Sequence, residues 1–288
     1  MQTETVRRKK ISADRVRQII PQVILNICIC FLLFLMLYPL AMAIWNALKI
    51  DYLFENTKWY PTLPLVVTNL IDAFGLLDSY ILNTVEVGIF GGGGLIIIAS
   101  ISAYTFAKMR FPGRKAMYAM VIALLMMPGI LTLIPQLMIY RGLGLTKSDS
   151  IFSLILPLWT SGPIFGVFLL TSFFRGIPND IFEAAKIDGA GDFVCYFRIA
   201  LPICMPIMGT LAIMTLVNIW NDYLWPMTVM EDRLTIAAAL VRVYTSEHSS
   251  NTTMQFAGYL VSAIPLIVLF VVANKYYIEG LIGSSIKL

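Results

Sequence analysis

Six stretches of this chain run free of charge for long enough to cross a lipid bilayer: residues 18–48, 87–107, 116–140, 150–174, 199–221 and 248–274. A hydrocarbon core of about 30 Å takes roughly 20 helical residues. Inside it every backbone N–H and C=O must be paired within the protein, which only helices and closed barrels achieve. The runs lack the strict in–out alternation of barrel strands, so they are read as helices, the second beginning near Tyr80, ahead of Glu86. Six buried helices of a water-soluble protein would need polar faces, and these runs leave none. Composition agrees: 58% of residues are hydrophobic and 13% charged, against about 25% charged in an average soluble domain. The expectation is an all-α, polytopic membrane protein.

Cationic residues orient it. With six spans, one side holds Arg7, Arg8, Lys9, Lys10, Arg15, Arg17, Lys108, Arg110, Arg114, Lys115, Arg175, Lys186, Arg198, Lys275 and Lys287. The other holds Lys49, Lys58, Arg141, Lys147, Arg233 and Arg242. Fifteen against six places both termini in the cytoplasm. The net charge of +4 comes from these flanks and implies no nucleic-acid partner. The basic N-terminal tail, followed by an apolar run longer than a signal core and no small-residue cleavage site, reads as a topology anchor on anionic lipid. Cys28, Cys30, Cys195 and Cys204 have no zinc-site spacing and are expected as thiols. The domains follow: a basic tail (1–20), a membrane domain (21–278) and a short C-terminal tail (279–288).

Two outer excursions interrupt the membrane domain, at 49–79 with Pro61 and Pro64, and at 231–256 with the polar run 246–251. Gly91–Gly94 lacks the Gly-Lys-Ser/Thr of a phosphate loop and sits in mid-membrane, which suits close helix packing instead. No P-loop, His-Glu-x-x-His or Gly-x-Ser-x-Gly occurs, and the single histidine, His248, falls in an outer loop. The chain is therefore expected to catalyse nothing and to need no cofactor or metal.

The polar connector at 175–206 is the exception to the apolar pattern. Ile177-Pro178-Asn179 breaks the fourth helix, and Asp180 stands three residues before Glu183, the spacing of a capping box. Gly189 should end that short helix. A second is expected from Asp192 to Arg198, before Pro202 and Pro206 reset the chain into the fifth span. Ala184 and Ala185 would lie on the surface of this helix–turn–helix knob, with Ile181, Phe182 and Phe193 anchoring it; small residues on one face suit insertion into a partner's groove.

The run Glu183-Ala184-Ala185, three residues, Gly189, nine residues, Ile199-Ala200-Leu201-Pro202 resembles the cytoplasmic coupling loop of ABC-importer permeases. With Asn218-Ile219-Trp220-Asn221-Asp222-Tyr223-Leu224-Trp225-Pro226 and the exit Tyr276-Tyr277-Ile278-Glu279-Gly280-Leu281, the chain resembles the carbohydrate-uptake group of those permeases over nearly its whole length. That resemblance implies a non-catalytic permease in a bacterial inner membrane. It also implies a sister permease, two ATP-binding cassette ATPase subunits and an extracytoplasmic sugar-binding protein. Glu183, Ala184, Ala185, Asp188, Gly189, Leu201 and Pro202 match its docking pattern. The tail Ile282-Gly283-Ser284-Ser285-Ile286-Lys287 departs in part from the family's small-residue ending.

Candidate path residues are Asn83, Glu86, Trp220, Asn221 and Asp222. Sugars bind through aromatic faces and planar polar groups, which Trp220, Asn221 and Trp225 supply. An outer aromatic belt with Asp222 meeting water is the competing reading. Glu86 would be costly facing lipid, so a wet cavity, a subunit interface or headgroup depth is expected for it. A permease for a non-sugar solute, and a secondary transporter or channel subunit, stay open as alternatives.

Overall fold

In the computed structural model residues 13–147, 150–246 and 251–285 are described, and those residues are helical with connecting turns. The tail cations at 7–10 and His248 lie outside the described residues, as do the side chains of the 276–287 exit. Five helices are long and apolar enough to cross a membrane: Pro21–Ala47, Thr68–Lys108, Phe152–Gly176, Asp192–Asn221 and Thr252–Val272. A sixth crossing requires a bent pair to count as one span.

The first span is the C-terminal part of α1 (Ala13–Ala47), which packs on α14 (Thr252–Ser285). Most of its apolar surface faces outward, including Phe31, Phe34 and Met36. After it, α2 (Asp51–Thr57) folds back over a fully buried Lys49. The Lys49 Nζ donates to Asn46 Oδ1 at 3.0 Å and to the carbonyls of Thr57 and Tyr60 at 2.5 and 2.7 Å. Taking the ammonium out of water lowers its pKa, and those three acceptors offset the loss.

The second span is longer than the charge-free run suggests. Helix α3 (Thr68–Val87) passes through a π-helical turn (Gly88–Gly92) into α4 (Gly93–Lys108), giving 41 continuous residues. Asn69, Asp72 and Asp78 disguise its N-terminal part. Yet Ala73, Leu77, Thr84 and Val87 recur at helical spacing, and all are buried. Close packing explains Gly88, Gly91 and Gly94, though not Gly93, whose Cβ position is open. A Cβ on Gly91 would stand 2.4 Å from Leu158, and one on Gly94 would stand 2.0 Å from the indole nitrogen of Trp159. That nitrogen donates to the Phe90 carbonyl at 3.1 Å.

The run at 116–140 is not straight. It forms α5 (Arg114–Leu125) and α6 (Ile130–Gly142), which meet at 103°. Pro128, lacking an N–H, and Gly129 fall in the break. Next, α7 (Phe152–Thr160) and α8 (Pro163–Gly176) make one 25-residue crossing. Helices α4 and α8 share the largest helix contact, with Gly166 close against Ala99 and Leu211. The polar connector supplies α9 (Asn179–Ile187) and α10 (Asp192–Cys195). A second π-helical turn (Tyr196–Ala200) then leads straight into α11 (Leu201–Asn221). Pro202 and Pro206 thus sit inside a continuous helix rather than resetting the chain. The widened turn ends just before Pro202, whose missing N–H leaves the Arg198 carbonyl without its usual donor. Short α12 (Leu224–Val229) and α13 (Ile236–Ser246) connect α11 to α14.

Candidate functional site

The polar knob is built around Tyr104 of α4. Its ring lies 5.8 Å from Phe174, 6.3 Å from Phe182 and 5.2 Å from Tyr196, joining α8, α9 and the second π turn. Its hydroxyl donates to the Asp192 carbonyl at 3.3 Å, and Ser100 meets the Tyr196 hydroxyl at 2.8 Å. Phe182 alone of the three expected anchors is buried; Ile181 and Phe193 are exposed. Burying a ring like Phe182 outside the membrane contributes about 2 kcal/mol.

The start of α9 is held differently from the spacing argument. Pro178 occupies the N-cap position and no side chain caps it. Instead Lys108 Nζ bridges the Ile177 carbonyl at 2.6 Å and Asn179 Oδ1 at 2.9 Å, and lies 4.7 Å from the Phe182 ring centroid. Asp180 sits in the first turn, where the helix dipole favours a carboxylate. The end of α9 is a Schellman motif: the Ala190 N–H donates to the Ala185 carbonyl at 2.9 Å and the Gly189 N–H to the Lys186 carbonyl at 3.1 Å. Gly189 takes φ +83°, the left-handed conformation that motif needs. Across the turn Lys186 and Asp192 pair at 2.7 Å. The hydrogen bond and charge of Asp192 raise the lysine's pKa.

Glu183, Ala184, Asp188 and Gly189 are exposed, while Ala185 and Leu201 are partly buried against the aromatic cluster and Pro202 is exposed. Sequence reasoning missed what stands beside them. Ile187 is 86% exposed and Phe193 75%, an apolar surface on a polar connector. The Phe193 ring is tilted against that of Phe197, 4.9 Å away.

The second feature is a cavity of about 560 Å³ between α6, α7, α8, α11 and α12, within the usual range for small-molecule sites. Its polar lining is Gln136, Thr215, Asn218, Asp222, Trp225 and Thr235. Leu211, Met214, Thr215, Asn218 and Asp222 all line it and recur every three to four residues along and just past α11. That helical spacing would have identified Asn218 from sequence.

The five path candidates are not brought together. Asp222 lines the cavity, and its Oδ1 accepts from the Trp225 N–H at 3.3 Å. Trp220 points elsewhere, into an apolar groove shared with α14, where its indole donates to the Ser262 carbonyl at 3.1 Å. Asn221 is exposed and donates back to the Val217 carbonyl at 2.8 Å. Glu86 and Asn83 belong to a third group: Glu86 pairs with Arg233, and Asn83 accepts from Arg233 at 3.3 Å while donating to the Leu234 carbonyl at 3.1 Å. Arg233 is 147 residues from Glu86 in sequence, which hid the pair.

Residues 92–277 match a protein family described as binding-protein-dependent transport system inner membrane component. The chain is 31% identical over 225 residues to the alpha-glucoside transport system permease protein AglG of Rhizobium meliloti (strain 1021), covering 76% of this chain and 58% of that protein. It therefore spans less than two thirds of AglG. It is also 31% identical over 251 residues to the melibiose/raffinose/stachyose import permease protein MelC of Bacillus subtilis (strain 168), covering 83% of this chain and 86% of MelC. Its fold is similar to a chain in the crystal structure of a bacterial ABC transporter involved in the import of the acidic polysaccharide alginate. That match has a TM-score of 0.76 at 21% identity and covers 93% of this chain and 99% of the other. Matched over well more than half its length, the chain belongs to the family of inner-membrane components of binding-protein-dependent transport systems.

Proposed function

We propose that the chain is a permease subunit of an ATP-driven importer of sugars or oligosaccharides, with both termini and the α9–α10 knob in the cytoplasm. The observation that carries this reading is the knob: a short helix, α9, fixed at both ends and displaying Ile187 beside Glu183, Ala184 and the following Asp188, with Phe193 exposed on α10. Exposed apolar side chains on a rigidly anchored surface suit a cleft on a partner. In this reading the partner is one of two ATPase subunits, and a sister permease completes the pathway. An extracytoplasmic binding protein then delivers the sugar named for relatives such as AglG and MelC. The chain's own task is mechanical. ATPase closure moves the knob, and the Tyr104 cluster transmits that motion to α4, α8 and α11 because all three contribute side chains or backbone to it. An ion-coupled carrier is less well supported, since Glu86 is engaged by Arg233.

The test is to purify the complex from membranes and measure which glycans, presented with the binding protein, stimulate ATP hydrolysis. Stimulation by a neutral oligosaccharide, abolished by Ile187→Asp together with Phe193→Asp, is the expected outcome. Unchanged ATPase association in that double variant would remove the docking role.

A further inference from the structure

The central cavity has an unusual charge balance for an opening in a cationic protein. Asp222 is its one charged side chain among the described lining residues, and no lysine, arginine or histidine joins it. Gln136, Thr215, Asn218 and Thr235 are uncharged hydrogen-bonding groups, and Trp225 adds an aromatic face. The Trp225 indole is held in place by donation to the Ser153 carbonyl at 2.9 Å and by an edge-on contact with Tyr140 at 5.1 Å. Helix α11 ends at Asn221, so its negative dipole end also falls here. The nearby cation, Arg233, is paired with Glu86 and is not among the lining residues.

We propose that Asp222 makes this cavity a charge filter that admits uncharged polyhydroxy solutes and turns away acidic ones such as uronate-bearing saccharides. The proposal rests on the transport reading above and adds the chemical class of its substrate. A neutral sugar finds amide and hydroxyl partners along Gln136, Asn218 and Thr215 and a stacking face on Trp225. A carboxylated sugar meets the same groups plus a like charge in a partly desolvated space, with no cation to pair it. Asn218 precedes Asp222 by one helical turn, so their Cβ atoms lie about 5–6 Å apart. Like charges at that range repel strongly where water is scarce.

The experiment reads this potential directly, without knowing the natural sugar. In the assembled importer, with Cys28, Cys30, Cys195 and Cys204 replaced by serine, Asn218→Cys is reacted in membrane vesicles with two methanethiosulfonates of similar size. One carries an uncharged hydroxyethyl group and the other an anionic sulfonatoethyl group. The anionic reagent is expected to react at least about tenfold more slowly. Adding Asp222→Asn should bring the anionic-to-neutral ratio close to that of a free thiol, the ratio cancelling the faster reaction of a thiol that has lost a neighbouring carboxylate; asparagine keeps an oxygen for the Trp225 N–H. Adding Asp222→Glu should preserve the difference. Equal rates for both reagents with Asp222 present would overturn the filter, as would an unchanged ratio in Asp222→Asn. A cysteine at 218 inert to both reagents would show the cavity is not a wet path and would also overturn it. ATPase co-purification, followed in parallel, reports on the transport reading alone.

Discussion

Gly189 is the residue on which the knob turns. Its φ of +83° is left-handed, and nothing lies within 4 Å of where a Cβ would stand. A substitution there is penalised by backbone conformation rather than by collision. Gly189→Val should cost about 1–2 kcal/mol and misdirect Ala190 and Asp192, lowering ATPase co-purification. Gly189→Asn, which tolerates that conformation, should restore most of it; equal loss in both variants would point to a steric cause. Phe182 offers an independent check. Phe182→Ala empties its place between Tyr104 and Lys108 and should cost about 3 kcal/mol locally. The readout is limited proteolysis at 179–191, which should become several-fold faster while cleavage elsewhere stays constant.

At the scale of elements, the segment from Met230 to Ile236 runs past the cavity, which Thr235 lines. It is tied to α3 by four contacts: Arg233 with Glu86, Arg233 donating to the Asn83 side-chain oxygen at 3.3 Å, the Leu234 carbonyl accepting from Asn83, and the Ile236 N–H donating to the Thr84 hydroxyl at 2.8 Å. Thr235 beside them donates to the Asp222 carbonyl at 3.2 Å and lines the cavity, so this segment is joined to the cavity wall. The ion pair is about one third exposed on each side, which screens it. A double-mutant cycle with Glu86→Gln and Arg233→Gln should therefore give a coupling of about 0.5–1 kcal/mol in thermal stability. A coupling near zero would mean the neutral hydrogen bonds hold the segment alone.

Over the whole molecule, orientation governs which surface meets which partner. In the proposed orientation, which rests on the fifteen-to-six distribution of cations, the knob faces the cytoplasm with Lys108 and Arg114, and the Lys49 elbow faces outside. In the serine-replaced background, cysteines introduced at 110–115 should label in intact cells only with a membrane-permeant reagent. Those at 52–59 should label with an impermeant one. The reverse pattern would invert the molecule and detach the ATPases from the knob.

The helical class and five of the expected crossings were legible because hydrocarbon forbids unpaired backbone, and a charge-free run of 20 residues has few other fates. The turn at Gly189 was legible for a similar local reason, since left-handed backbone selects glycine. What depended on distant partners was not. The 103° break between α5 and α6, the extension of α3 out to Thr68 and the pairing of Glu86 with Arg233 are settled by which surfaces meet in space. So is the split of Trp220 and Asp222, two residues apart, onto different faces: at 100° per residue a helical path turns them about 200° from each other, and only packing says which side becomes the cavity.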